Sequence, residues 1–167
     1  MTTTIQGASQ IDFNAGYSQV LASGIATKGL AIYNLGTLTM RGNSTLSNHS
    51  LYGESALYNN GTAILDHVIL SNSIDTVGSS VIRNDNAGKL TFSHSTYSNN
   101  GGTATNAGGL VNENGWVRID DVLFQNNTIS AANGGLITNR GVNADMAISN
   151  SRFDHNHPGI EPGSPVL

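Results

Sequence analysis

The sequence predicts an all-β chain, a right-handed parallel β-helix (solenoid) of about five to six coils. Three observations predict it. One pattern of alternating apolar and polar residues recurs five times. The copies are unevenly spaced, and all three prolines, Pro158, Pro162 and Pro165, lie in the last ten residues. Period-two alternation is the mark of a strand, in which every second side chain faces the same way. Uneven spacing suits strands joined by loops of variable length and does not suit a fixed helical repeat. Proline lacks the backbone donor that a sheet ladder needs, so its late clustering marks where pairing ends.

In chain order, residues 1–28 read as an N-terminal cap or imperfect first coil, carrying Ile11, Phe13 and Ile25. Residues 29–157 are the repeats. Each opens with a short apolar strand, represented by Ile32, Leu57, Ile82, Val111 and Ile137. A glycine and an alternating strand follow: Gly36 to Met40, Gly61 to Leu65, Gly88 to Phe92, Gly115 to Ile119 and, more loosely, Asn143 to Ile148. The inward positions form two columns, Leu38, Ala63, Leu90, Val117, Met146 and Met40, Leu65, Phe92, Ile119, Ile148. A third column is Leu46, Leu70, Tyr97, Phe124 and Phe153, at intervals of 24, 27, 27 and 29 residues. Each copy thus supplies about three short strands. Residues 158–167 are a Pro/Gly-rich tail.

Two residues after the third column stands a polar residue: Asn48, Asn72, Asn99, Asn126 and finally His155. With copies stacked at the inter-strand spacing of about 4.8 Å, each amide can donate to the next, which predicts a structural Asn ladder in the bend. A single coil buries too little apolar surface to offset the entropy of fixing its backbone, so the copies must stack to fold. Asn-Gly pairs beginning at residues 60, 100, 114 and 133 could instead signal hairpins of an antiparallel sandwich. The equal composition of successive copies favours the solenoid.

Composition narrows function. Only 11% of the 167 residues are charged, against about 25% in an ordinary domain. The net charge of −4 comes with no basic cluster, so nucleic acid is not an expected partner. There is no cysteine, which removes disulfides and thiolate metal sites. Met1 to Gln10 shows no basic or apolar signal region, and no apolar run approaches about 18 residues. The expectation is that this chain does not insert into a membrane by itself.

Gly108-Gly-Leu-Val111 and Gly134-Gly-Leu-Ile137, followed by Phe-x-x-Asn at Phe124 to Asn127 and Phe153 to Asn156, resemble the GGA[ILV] and FxxN motifs of polymorphic outer-membrane-protein repeats. More broadly, residues 29–157 are similar to pectin-lyase-like β-helices of large bacterial surface and secreted proteins. The alanine of the motif is Leu110 or Leu136 here, and earlier copies degrade to Leu46-Ser-Asn-His49 and Leu70-Ser-Asn-Ser73. In that family the motifs build the coil, so the resemblance implies a non-enzymatic, adhesin-like passenger segment, extracellular or at the cell surface. It implies a polysaccharide or a host or cell-surface protein as partner. A polysaccharide lyase or glycoside hydrolase of the same fold, and a trimeric spike-like glycan-binding module, are the alternatives.

Four residues are the expected ligand-binding surface. Alternation turns Trp116 outward beside Thr37, Thr62, Lys89 and Asp145, where an exposed indole can stack on a sugar while Lys89, Arg118 and Asp145 supply hydrogen bonds. Packing of Trp116 under a loop, or stacking with Lys89 as a cation–π pair, is the competing reading. Asp120-Asp121 has the composition of a glycosidase pair, but Asp120 shares an outward column with Arg41, Asp66, Ser93 and Ser149, where Arg41 and Asp66 suit a cross-strand pair. Asp154, His155 and His157 are metal-ligand types, yet alternation puts Asp154 opposite the two histidines. Neither a catalytic residue, a metal nor a cofactor is therefore expected. Length varies most in His49 to Gly53, Ser73 to Gly78, Gly101 to Gly108 and Thr128 to Gly134, segments expected to project from one side as a binding edge.

Overall fold

A computed structural model describes residues 2–5, 10–12, 32–47, 50–51, 55–75, 80–102, 108–129 and 135–158. Two strands come first, β1 (Thr2–Ile5) and β2 (Gln10–Asp12). Five sets then follow one pattern of short, long and two-residue strands. The first is β3 (Ile32–Asn34), β4 (Thr37–Ser47) and β5 (Ser50–Leu51); the second is β6 (Leu57–Asn59), β7 (Thr62–Ser71) and β8 (Ile74–Asp75). The third is β9 (Ser80–Asp85), β10 (Lys89–Ser98) and β11 (Gly101–Gly102), and the fourth β12 (Gly108–Glu113), β13 (Trp116–Gln125) and β14 (Thr128–Ile129). The last is β15 (Ile137–Arg140), β16 (Asp145–Ser149), β17 (Arg152–Asp154) and β18 (His157–Pro158).

Among the described residues all pairing is parallel and between equivalent strands, giving three sheets: β3-β6-β9-β12-β15, then β1-β4-β7-β10-β13-β16 with β2 and β17 at its ends, then β5-β8-β11-β14-β18. The chain is an all-β parallel β-solenoid. From Ile32 through Leu57, Ile82 and Leu110 to Ile137 it makes about four turns, fewer than the five to six coils expected. Within the expected cap, β1 and β2 pair with β4; the remainder of residues 1–28, and the tail beyond Pro158, lie outside the described residues. Among those residues no helix is long and apolar enough to cross a membrane.

The predicted inward columns of the second sheet pair in register, Leu38, Ala63, Leu90, Val117, Met146 and Met40, Leu65, Phe92, Ile119, Ile148. So does the third column, Leu46, Leu70, Tyr97, Phe124 and Phe153. From Leu38 to Phe124 every member is at most 1% exposed, whereas the last coil opens, with Ile148 at 43% and Phe153 at 50%. Phe124 stacks on Phe153 (4.9 Å between centroids, 4°) and meets Tyr97 at 5.5 Å and Phe92 edge-on at 6.3 Å.

The strand boundaries differ from expectation. What the sequence presents as two strands per coil is, in β4, β7, β10 and β13, one long strand bent in the middle, while the last coil keeps two, β16 and β17. A residue with positive φ makes the bend: Asn43, His67, His94, Asp121 and Asn150, at φ 47–62°. The bend resets the alternation and creates an inward column between Leu65 and Leu70 that alternates Ser44, Val68, Ser95, Val122. Its serines serve the backbone: Ser95 Oγ accepts from Val68 N (2.9 Å) and Ser151 Oγ from Val122 N (3.1 Å). In the first coil Gly42 is also left-handed and adds a residue, a bulge between Arg41 and Ser44. That extra residue takes one residue off the interval from Leu46 to Leu70, 24 against 25 from Met40 to Leu65 ahead of the bulge. In the first sheet, Leu110 and not Val111 continues the column of Ile82, because the Leu-Val pair offers two apolar residues in succession and the ladder takes the first.

Two asparagine ladders close the corners. At the first, Asn34 donates to Asn59 (2.7 Å), Asn59 to Asn84 (2.7 Å), Asn84 to Asn112 (2.8 Å) and Asn112 to Asn139 (2.8 Å). Each amide also donates to a strand-start carbonyl, as Asn84 does to Gly88 O at 2.9 Å and Asn112 to Gly115 O at 2.9 Å. The repeat glycines belong to this corner: a Cβ on Gly115 would lie 2.2 Å from Asn84 Nδ2, and one on Gly61 2.3 Å from Gly36 O. The second ladder stands one residue after the predicted one. Asn72, Asn99, Asn126 and His155 are left-handed turn residues (φ 50–55°) with exposed side chains, and Asn48 lies outside the described residues. The rungs are Asn100, Asn127 and Asn156, preceded by Ser73. Asn127 Nδ2 donates to Asn156 Oδ1 (2.8 Å) and Tyr97 O (3.0 Å), and Asn127 Oδ1 accepts from Asn100 N (2.9 Å). Asparagine tolerates positive φ better than other non-glycine residues, so the first Asn of each Asn-Asn pair makes the turn and the second can point inward.

Candidate binding surfaces

The outward column of Trp116 is as the alternation predicts, Thr37, Thr62, Lys89, Trp116 and Asp145 in register. Arg118, two residues along β13 and on the same face, lays its guanidinium over the indole, 4.2 Å from the ring centroid. It also pairs with Asp145 (2.8 Å) and donates to Val117 O (2.8 Å). The structure therefore brings Trp116, Arg118 and Asp145 together, with Lys89 beside Trp116 by register. The cation on the indole is Arg118, not Lys89. A guanidinium is suited to this because it is planar and weakly hydrated, and it occupies one face on which a sugar would stack.

A second polar surface lies on the outside of the first sheet. Tyr33 and Tyr58 stack at 4.6 Å, and Tyr58 Oη donates to Asp85 Oδ2 (2.9 Å). Arg83 bridges Asp85 (3.2 Å) and Glu113, which also takes Arg140 at 3.2 Å. Burial first, and then the bond to Asp85, push the Tyr58 hydroxyl well above the usual tyrosine range, so it stays a donor.

The third surface follows the bend of the second sheet, where Arg41, Asp66, Ser93, Asp120 and Ser149 form one column and the left-handed residues the next. Asp66 takes no pair with Arg41. Its Oδ1 lies 2.8 Å from His94 Nδ1, 3.1 Å from His67 Nδ1 and 3.0 Å from Ser93 Oγ. The two imidazoles stack at 4.9 Å and 26°. The hydrogen bond to His94 above all, with Ser93 and His67 behind it, holds the Asp66 carboxyl below its usual range, and the same bond raises His94. One coil on, Asp120 Oδ1 accepts from Ser149 Oγ and Asn150 Nδ2, both at 2.7 Å, and these bonds lower its pKa. That is the wrong direction for a general acid. Asp121 sits in the bend itself.

Sequence reasoning passed over His67 and His94. The signal was present, since the register that aligns Asp66 with Ser93 also aligns the residues after them. Asp154 is paired with His155 (2.7 Å) and Arg152 (3.0 Å). Among the described residues, Asp66, His67 and His94 are the His/Asp/Glu trio whose ligand atoms converge, all within 4.8 Å of one another. Comparison with protein-family models, with curated proteins and with solved structures finds no match, so function is read from these residues and their placement.

Proposed function

We propose that the chain is a right-handed, pectin-lyase-like β-helical segment of a secreted or surface-displayed bacterial protein, non-enzymatic and adhesin-like. It presents loops to carbohydrate or protein. The observation that carries this reading is the shared exit of its variable connections. Residues 52–56, 76–79, 103–107 and 130–136 each join a strand of the third sheet to the first-sheet strand of the next coil. The flanking strands pair in register, so the strand ends on either side of the four connections stack coil on coil. A rigid scaffold with variable segments along one edge is how repeat proteins present binding surfaces. Right-handedness rests on the strong preference of parallel crossovers for that hand. The Gly-Gly and Phe-x-x-Asn motifs have structural duties here, which suits an adhesive rather than a catalytic use: a Cβ on Gly109 would lie 2.3 Å from Leu136 O, and the motif asparagines Asn127 and Asn156 are ladder rungs.

The test is a glycan and polysaccharide array probed with purified protein, read for retention and for release of reducing or unsaturated ends, with Trp116→Ala alongside. Retention without release is expected. Release of sugar ends would overturn the non-enzymatic reading, and retention weakened in Trp116→Ala would place the contact on the second sheet rather than on the loop edge.

A further inference from the structure

The bend of the second sheet requires a left-handed residue, but it does not require histidine. Asn43 and Asn150 make the same bend in other coils, and asparagine is a favoured residue there. At two successive coils the position is His67 (φ 56°) and His94 (φ 47°). The shared backbone conformation stacks their rings and points both Nδ1 atoms at one oxygen of Asp66, at 3.1 and 2.8 Å.

Those separations match the edges of a coordination polyhedron. Ligands about 2.0–2.2 Å from one ion stand about 2.8–3.1 Å apart at a right angle and about 3.3–3.6 Å apart in a tetrahedron; the three donor atoms already lie within 4.8 Å of one another, so side-chain rotations would let all three share a cation. The side chains of His67 and His94 are 56% and 48% exposed and that of Asp66 29%, leaving the outer side open to water for the remaining positions. Asp120 and Asp121 on the following coil add negative charge toward His94. The donors are carried on paired strands, which fixes their spacing better than a loop would.

We propose that Asp66, His67 and His94 form a binding site for a borderline divalent transition-metal ion, of the class of Zn²⁺, Ni²⁺ or Cu²⁺. Imidazole with carboxylate selects these ions over Ca²⁺ and Mg²⁺, which prefer all-oxygen sets. Three protein ligands with water completing the shell make an open site, one able to accept a further ligand from solvent or from a partner molecule.

The experiment is calorimetric titration of the tag-free 167-residue chain with Zn²⁺, and electron paramagnetic resonance after loading with Cu²⁺. His67→Asn and His94→Asn are the informative variants, because each installs the residue that other coils carry at that bend. Asp66→Asn is the third, and a His155→Ala/His157→Ala double variant is the control. One Zn²⁺ per chain is expected, with imidazole nitrogen coupling in the copper spectrum. Losing an outer-shell partner already lowers metal affinity about 10- to 100-fold, so each single variant should lose at least tenfold, while the control keeps the native affinity. Absence of Zn²⁺ binding, a copper spectrum without imidazole nitrogen, or loss in the control but not in the Asn variants would overturn the proposal. Thermal unfolding of each variant confirms that a lost site is not a lost fold.

Discussion

Asn126 and Asn127 are adjacent and chemically identical, yet their removal should have opposite consequences. Asn126 is exposed and left-handed, at φ 53°. Replacing it with glycine keeps the turn conformation available, so the change should stay within about 0.5 kcal/mol. Asn127 is 1% exposed. Asn127→Ala removes the acceptor of Asn100 N, at 2.9 Å, and the donor to Tyr97 O, at 3.0 Å. Stranding that buried N–H costs about 1–3 kcal/mol, and the lost bonds to Tyr97 O and Asn156 Oδ1 cost about 1 kcal/mol each, which gives about 3–5 kcal/mol in all. At a urea m-value of about 2 kcal/mol/M, that lowers the midpoint by about 1.5–2.5 M. Urea unfolding should be followed by far-ultraviolet circular dichroism and by fluorescence of Trp116, the sole tryptophan, which lies in the same coil. Equal shifts for the two variants, or a larger one for Asn126→Gly, would refute the placement of the ladder.

Three further outcomes are expected. Gly115→Ala should destabilise by about 3 kcal/mol or more in the same assay, because its Cβ would meet Asn84 Nδ2, Asn112 Oδ1 and Gly88 O within 2.8 Å; a change below about 1 kcal/mol would mean that the corner can yield. Tyr97→Phe should be neutral or raise stability by about 1 kcal/mol, since the fully buried Tyr97 hydroxyl has no hydrogen-bond partner among the described residues; a loss of stability would reveal a partner. Arg118→Ala should increase acrylamide quenching of Trp116 by uncovering the indole, at a stability cost below about 1 kcal/mol for a half-exposed contact; unchanged quenching would show that the guanidinium does not cover the ring.

The inward columns were legible because alternation has only one reading wherever one face is buried. The second ladder was misplaced by one residue because a left-handed bend resets the alternation, and in Asn99-Asn100 or Asn126-Asn127 composition alone does not say which amide turns inward. The Phe-x-x-Asn spacing did carry that information, since its asparagines, Asn127 and Asn156, are the rungs. The first ladder was hidden by variable spacing. Its rungs precede the repeat glycine by two residues at Asn34 and Asn59, three at Asn112 and four at Asn84, so alignment on the glycine scattered them. The Trp116 column was legible, but the guanidinium over the indole was not, because same-face neighbours two residues apart compete with neighbours in adjacent strands.

The inner and outer faces of this solenoid answer to different constraints. Inward residues answer to their counterparts one coil away, as Asn84 does to Asn59 and Asn112 in the ladder and as Ser95 does in accepting from Val68 N. An outward residue at a bend needs only a tolerable positive φ, which Asn, Asp and His all satisfy here. Its identity is therefore free to serve something other than folding. The stacked pair of His67 and His94 around Asp66 is where that freedom has converged on a set of donors, and the outward Trp116, Arg118 and Asp145 are where it has converged on a flat, hydrogen-bonding patch. Coil-preserving substitutions at these outer positions, such as His94→Asn, should thus separate binding from stability, whereas inward substitutions would change both together.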